Sequence, residues 1–386
     1  MKGYAAGLAA ALLLLLLISG ALAQDAMRLY VQDGTLEDVQ IRQMLALLDQ
    51  EDASWSLMED ERALRELVLA GDLPDLAICA PAQVRPWAKE GMLLELQTHI
   101  GSQQRMQRQV LDLCVHEEAL IMAPLKAQHR QMAVNSRLFD EMGLGYMLDP
   151  QTYPVWYPAQ FYQILEEFLI RDRIAVDIWH AELDSSAPLE TLTQAIYGGM
   201  LLSEDGKNCE AGSIDMITGM QWLCDAVDDG MIGYCQTQEE ALERFISGET
   251  AIYLDWTDSL HRRLEDIVQK EELHLESRPY PAAVGLPVRS FDLIGVCAFK
   301  SGDAARDARL TQACAKLHEH AQEVLGPRGI WQDGALWTAS LDAHDAGATL
   351  RSLFCEALEA VIEQGEPARE ALARVQAAMD AMNRTK

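Results

Sequence analysis

Short, wholly apolar runs alternate along this chain with longer stretches in which apolar residues return every three or four positions. Leu76–Cys79, Leu120–Met122, Met132–Val134, Ala251–Leu254 and Leu293–Phe299 are runs of the first kind and predict buried strands. The second kind predicts amphipathic helices with legible ends. Thr35-x-x-Asp38 announces one, with Ile41, Met44, Leu45 and Leu48 on a face. Leu64, Leu67 and Val68 line another over 59–70, before Gly71. Pro158 suits the first turn of a helix carrying Phe161, Leu165, Phe168 and Leu169. Ser213 caps a helix through Ile217, Met220, Cys224 and Val227 that closes at Gly230. Thr237-x-x-Glu240 is a capping box ahead of Leu242, Phe245 and Ile246, with Gly248 as the stop. Two C-terminal amphipathic helices are parted by Gly365-Glu366-Pro367. Strands and helices alternating in this way imply an α/β fold.

The segment 71–96 carries the first functional hint. A polar turn at Gly71 and Pro74 feeds the strand Leu76–Cys79; a Pro-containing loop follows, then a short helix with Val84, Trp87 and Ala88, stopped by Gly91. Loops at the carboxyl ends of strands in open α/β sheets are where ligands bind, so Ala80, Pro81, Ala82 and Gln83 form a candidate ligand wall. Trp87 falls on the apolar helix face and is expected in the core.

The N-terminus changes the picture more than composition does. Lys2, the apolar run Ala5–Ile18 and Ala21-Leu22-Ala23 before Gln24 read as a secretory signal peptide over residues 1–23. A membrane span needs ~20 apolar residues and lacks such a cleavage site. No cysteine follows the cleavage point, so a lipid anchor is not expected, and the remaining 386 − 23 = 363 residues are expected outside the cytoplasm, periplasmic or secreted. That length supports two lobes rather than one core. The net charge of −29 becomes −30 without Lys2, which argues against nucleic acid or anionic lipid as partners.

Catalytic and metal signatures are missing. No H-E-x-x-H, G-x-S-x-G or phosphate-loop motif occurs; His116-Glu117-Glu118 lacks a second histidine at helical spacing, and His318 and His320 point apart on a helix. No cofactor or metal is expected. The eight cysteines are scattered without a C-x-x-C and are expected to be free and buried, a disulfide among Cys209, Cys224 and Cys235 remaining open.

Several longer segments point to a family. Gly71-Asp-Leu-Pro-Asp75 with its strand, loop and Gly-Met-Leu-Leu-Glu-Leu96 is one. Ala119–Asn135 followed by Leu138-Phe139 and Gly143-Leu144 is the second, and Tyr153-Pro-Val-Trp156 the third. Tyr197-Gly-Gly-Met-Leu-Leu-Ser-Glu-Asp-Gly-Lys-Asn208 before a helix ending Asp229-Gly-Met-Ile232, Phe245-Ile-Ser-Gly-Glu-Thr-Ala-Ile252 with Asp255-Trp256, and Gly365–Leu372 complete the set. In this order they resemble bacterial extracellular solute-binding proteins of family 1, the maltose-binding-like components of ABC transporters. The resemblance implies an α/β, two-lobed periplasmic-binding-protein-like (type II) fold, with discontinuous lobes joined by crossover strands. Lobe I would span 24–128 and 282–322, and lobe II 129–281 and 323–386. It further implies a monomer that closes about a hinge on a small solute, carbohydrate first, and presents it to an ABC permease. A secreted sensor-partner or adhesion module on the same fold is the alternative, and a hydrolase a remote one.

Under that resemblance the site comes from loop ends. Gln128 and His129 lie at the crossover; Asp255, Trp256 and Asp258 follow the strand Ala251–Leu254; Tyr157 and Trp331 are loop aromatics able to reach a ligand. Trp256 is either an aromatic platform or a packed seam residue. Asp255 either accepts hydrogen bonds from a ligand or, as such residues more commonly do, caps the next helix. Sugar-binding relatives often carry an aromatic where this chain has Cys79, followed by polar residues where it has Ala80-Pro81-Ala82, and aromatics make up only 6% of the chain. The choice between sugar and non-sugar stays open on these residues.

Overall fold

The structure is a computed structural model that describes residues 27–32, 35–48, 55–58, 64–96, 108–182, 185–203, 208–270, 273–283, 288–325, 336–339, 341 and 347–384. The predicted signal peptide and Trp331 lie outside the described residues. The chain divides into two compact units, one numbered up to 127 and from 293 to 332, the other from 128 to 292 and from 333 to 386.

The first unit begins with β1 (Met27–Val31), α1 (Asp38–Leu48), β2 (Trp55–Leu57), α2 (Leu64–Leu69) and β3 (Leu76–Cys79). β1 is flanked in parallel by β2 (Met27↔Trp55) and β3 (Leu29↔Leu76), the arrangement that a helical crossover between strands produces. All four residues of β3 are buried, which is why the run carries no polar alternation. The start of α1 differs from the expected capping box: the Gln40 side chain accepts a hydrogen bond from the Glu37 N–H at 3.1 Å. Gln40, Met44 and Leu48 then form the buried stripe, while Ile41 and Leu45 are only half-buried. α3 (Pro81–Lys89) buries Val84 and Trp87 and ends as expected at Gly91, whose φ of 69° suits a residue without Cβ. α4 (Arg108–Cys114) and a hairpin of β4 (Val115–His116) and β5 (Ala119–Leu120) lead into β6 (Ala123–Asn135), within which the chain passes to the second unit.

The second unit continues with α5 (Ser136–Glu141), α6 (Pro158–Leu169), β7 (Asp177–Trp179), α7 (Ala187–Tyr197), α8 (Ile214–Asp228) and β8 (Gly233–Cys235). α9 (Gln238–Ile246), β9 (Ile252–Trp256), α10 (Asp258–Arg263), α11 (Glu265–Lys270) and β10 (Leu275–Arg278) follow. β6 pairs antiparallel with β9 (Val134↔Ile252) and β10 (Val134↔Glu276), and β7 pairs parallel with β8 (Ile178↔Tyr234). The Ser213 and Thr237 caps form, accepting from Met216 N–H at 3.3 Å and Glu240 N–H at 3.1 Å. Its core stacks Phe139 on Trp156 and Trp156 on Phe161, with the Arg278 guanidinium 5.0 Å from the Trp156 ring centre. α8 lies so close to α7 that a Cβ on Gly219 would meet the Thr193 carbonyl oxygen at 2.2 Å.

β11 (Val288–Ala298) carries the chain back; its far half pairs antiparallel with β3 (Gly295↔Cys79), and α12 (Ala304–Leu325) packs on α1. β12 (Leu336–Ala339) then pairs in parallel with the near half of β11, and α13 (Gly347–Gln364) and α14 (Ala368–Arg384) close the second unit, broken at 365–367 as predicted. The return crossing falls near 293 rather than 282. Residues 275–283 belong to the second unit, because β10 pairs with β6, Tyr280 donates its hydroxyl to the Leu254 carbonyl at 2.6 Å and Ala282 N–H bonds the Trp156 carbonyl at 2.9 Å. The last boundary falls at 332 rather than 322, since α12 runs unbroken to Leu325.

All eight cysteines are free and buried, so the structure contains no disulfide among Cys209, Cys224 and Cys235. Among the described residues no helix is long and apolar enough to cross a membrane.

Candidate functional site

The polar cluster that the fold builds most deliberately lies in the second unit, on β6 and β11, the two strands that continue into the first. Arg130 of β6 faces Asp255 of β9 and Asp292 of β11. Its Nη1 lies 2.6 Å from Asp255 Oδ1, its Nη2 2.8 Å from Asp292 Oδ2, and its Nε donates to the same Oδ2 at 3.0 Å. Gln238 at the start of α9 donates through Nε2 to Asp255 Oδ2 at 2.7 Å and to the Tyr253 hydroxyl at 3.1 Å. The Asp292 Oδ1 atom is inaccessible to solvent and has no hydrogen-bond partner among the described residues. The three charged side chains nevertheless retain 18%, 15% and 24% of their exposure for Arg130, Asp255 and Asp292, so the group borders solvent.

Local irregularity aims these side chains. Gln131 pairs with Trp256 but Ala133 with Tyr253, so β9 carries one residue more than β6 between the two pairs. A bulge of this kind turns a strand and re-aims its side chains, and here it encloses Leu254 and Asp255. Burial disfavours a charged guanidinium at Arg130, but the attraction of Asp255 and then Asp292 outweighs it and holds Arg130 well above its usual range. Burial likewise pushes the Tyr253 hydroxyl up, with Asp255 adding to the effect, so it stays protonated.

The predicted site residues are distributed unevenly. Asp255 is in the cluster, paired with Arg130; the capping role falls instead to Thr257, whose Oγ1 accepts from Leu260 N–H at 3.1 Å in α10. Trp256 is 2% exposed, edge-on to Phe245 at 6.2 Å and to His261 at 5.6 Å. Packed in this way between α9 and α10, the ring presents no exposed face. Gln128 and His129 precede Arg130 on β6, and Asp258 opens α10, their side chains lying outside what is described. Tyr157 is 48% exposed and adjoins Pro158, its N–H held by Gln160 Oε1 at 2.9 Å. In the first unit, Ala80 precedes α3 with its N–H bonded to Gln32 Oε1 at 3.0 Å, Pro81 is buried, and Gln83 is exposed. Arg130, Asp292 and Gln238 were absent from the predicted set. A signal existed for two of them: Arg130 stands two residues before the apolar run at Met132, and Asp292 immediately before the run at Leu293. Among the described residues no group of three or more His, Cys, Asp or Glu side chains could hold a metal ion.

No family model matches the chain, and no curated protein sequence matches it. Solved structures do. A cyclic alpha-maltosyl-1,6-maltose binding protein from Arthrobacter globiformis is 15% identical, with 94% of this chain and 99% of that one covered at a TM-score of 0.74. The sugar-binding protein MalE from Xanthomonas citri is 14% identical, covering 93% and 98% at 0.74. UgpB from Mycobacterium tuberculosis, solved with glycerophosphocholine, is 11% identical, covering 93% and 99% at 0.71. The likeness runs through both units and nearly the whole of each neighbour, and it establishes that this chain has the periplasmic-binding-protein fold of the maltose-binding type.

Proposed function

We propose that this protein is an exported solute-binding protein that captures a small solute and delivers it to an ABC permease, acting as a monomer and without a chemical step. The observation that carries the reading is the fold likeness over 94% of this chain and 99% of a neighbour that binds a cyclic oligosaccharide. The Arg130–Asp255–Asp292 cluster supports it, being polar, bordering solvent and seated on the strands that enter and leave the second unit. The physical basis is differential affinity: a solute that binds one conformation better than another shifts the protein towards it, and a permease that recognises that conformation responds only to loaded protein.

A thermal-shift screen of the purified chain against sugars, polyols, polyamines, amino acids and their phosphorylated forms tests this. A bound solute at one hundred times its dissociation constant raises stability by ~2.7 kcal/mol and lifts the melting temperature by several degrees. A screen in which no solute moves the transition overturns the reading.

A further inference from the structure

We infer that Arg130 is a clamp on the two strands that link the units: it ties β6 to β11 and to β9 where their backbone ladders change partner, and so limits local opening there. The chain leaves the first unit between Ala127 and Gln128 on β6 and returns between Asp292 and Leu293 on β11, so Arg130 and Asp292 stand at these two passages. Backbone pairing changes at the same places. β10 registers with β6 only from Met132 to Asn135, and β9 registers with it at Gln131 before the bulge that precedes Ala133. On β11, the register with β12 ends at Phe291 and the register with β3 begins at Gly295. Asp292 lies between them, where one neighbouring ladder has ended and the next has not begun. A stretch held by fewer backbone bonds opens more readily than the core of a sheet.

The guanidinium supplies what the ladders lack. Its Nε and Nη2 converge on Asp292 Oδ2 at 3.0 and 2.8 Å, while Nη1 holds Asp255 Oδ1 at 2.6 Å. Charge-assisted bonds of this kind are roughly twice as strong as neutral ones, and a planar guanidinium fixes their directions. Gln238 Nε2, at 2.7 Å from Asp255 Oδ2, brings the start of α9 into the same network. Arg130 keeps 18% of its exposure, so water can replace one lost carboxylate and the consequence stays local. Under the solute-binding reading, on which this last step rests, loosening the linking strands also shortens the time a bound solute stays, because the conformation that holds it is less well maintained.

Amide hydrogen exchange read by mass spectrometry on the full chain, with no solute added, tests the clamp. In Asp292→Ala, peptides covering 123–135 and 288–298 should exchange at least tenfold faster than in wild type, while peptides from α6, α8 and α13 keep their rates. Asp255→Ala cuts the tie to β9 instead, and should speed exchange over 252–256 more than over 288–298. Asp292→Asn still accepts from the guanidinium and should fall between Asp292→Ala and wild type; it carries the test where Asp292→Ala does not fold. Unchanged rates over 288–298 in both Asp292 variants overturn the inference. Equal acceleration throughout the chain also overturns it, because that marks a general loss of stability. With a solute found by the thermal-shift screen, stopped-flow release should be faster in Asp292→Ala, and an unchanged release rate overturns the functional consequence alone. A screen without hits overturns solute binding and leaves the exchange result to decide the clamp.

Discussion

Asp177 should make the second unit less stable as pH rises, and Asp177→Asn should remove that dependence. The residue opens β7 with its side chain only 1% exposed. Across the strand pair stands Gly233, where any Cβ would lie 1.9 Å from Asp177 Oδ1. Arg244 Nη1 approaches to 3.2 Å, yet among the described residues neither carboxylate oxygen has a hydrogen bond of good geometry. Burial pushes the carboxyl from its ordinary 3.8 up to about 6, with the Arg244 attraction opposing it less strongly. Because the folded value is raised, the folded state binds more protons than the unfolded one between about pH 4 and 6. The contribution is full below pH 4 and declines as pH rises through 6. A shift of about two units at ~1.4 kcal/mol each sets an upper bound of about 3 kcal/mol. Asparagine keeps the shape without the charge, and Arg244 keeps Glu249 at 3.3 Å. Urea denaturation of wild type and variant at pH 4.5, 6 and 8 measures the difference, in which titrations common to both cancel. The variant should equal or exceed wild type at pH 8, with its advantage shrinking towards pH 4.5. A variant less stable by more than ~1 kcal/mol at pH 8, with an unchanged pH slope, refutes the reasoning.

Three further outcomes follow from packing and pairing. Arg351→Ala leaves Glu190 buried with Ser186 as its one remaining side-chain partner among the described residues, where Arg351 Nε now stands 2.7 Å away; denaturation should show a loss of about 3–5 kcal/mol, and a loss under ~1 kcal/mol contradicts the pairing. Gly219→Ala, which on an open helix face gains about 1 kcal/mol, should here cost about 1–3 kcal/mol, because the Thr193 carbonyl blocks the methyl; a stabilised variant contradicts the packing of α7 on α8. Mass spectrometry after alkylation should count eight modified cysteines in denaturant without reductant, and almost none in the native protein; fewer than eight in denaturant reveals a disulfide that the structure lacks.

The sequence made the fold legible wherever one residue decides the local backbone. Ser213, Thr237, Pro158, Gly91, Gly230 and Gly248 each mark a helix end in the structure, because caps and left-handed turns depend on neighbours in sequence. α1 was legible in extent but not in face: Gln40 is buried because it satisfies the Glu37 N–H at the first turn, a role that apolar periodicity does not register. The site was legible only in part. Asp255 was named, yet its partner Arg130 lies 125 residues away and Asp292 lies 162 residues from that arginine, so only the β6–β9 and β11 arrangement brings them together. The choice between platform and seam at Trp256 was illegible for the same reason. An aromatic after a strand has the same local sequence whether it faces solvent or, as here, Phe245 and His261.

The most direct measurement is an isothermal titration of the purified chain with whichever solute most raises its melting temperature, repeated on Asp255→Ala. The account predicts one solute per chain and an affinity at least tenfold weaker in the variant, equivalent to a loss of ~1.4 kcal/mol or more. Equal affinity in the two proteins would contradict the placement of the site at Arg130, Asp255 and Asp292, and the absence of any binding heat would contradict solute capture altogether.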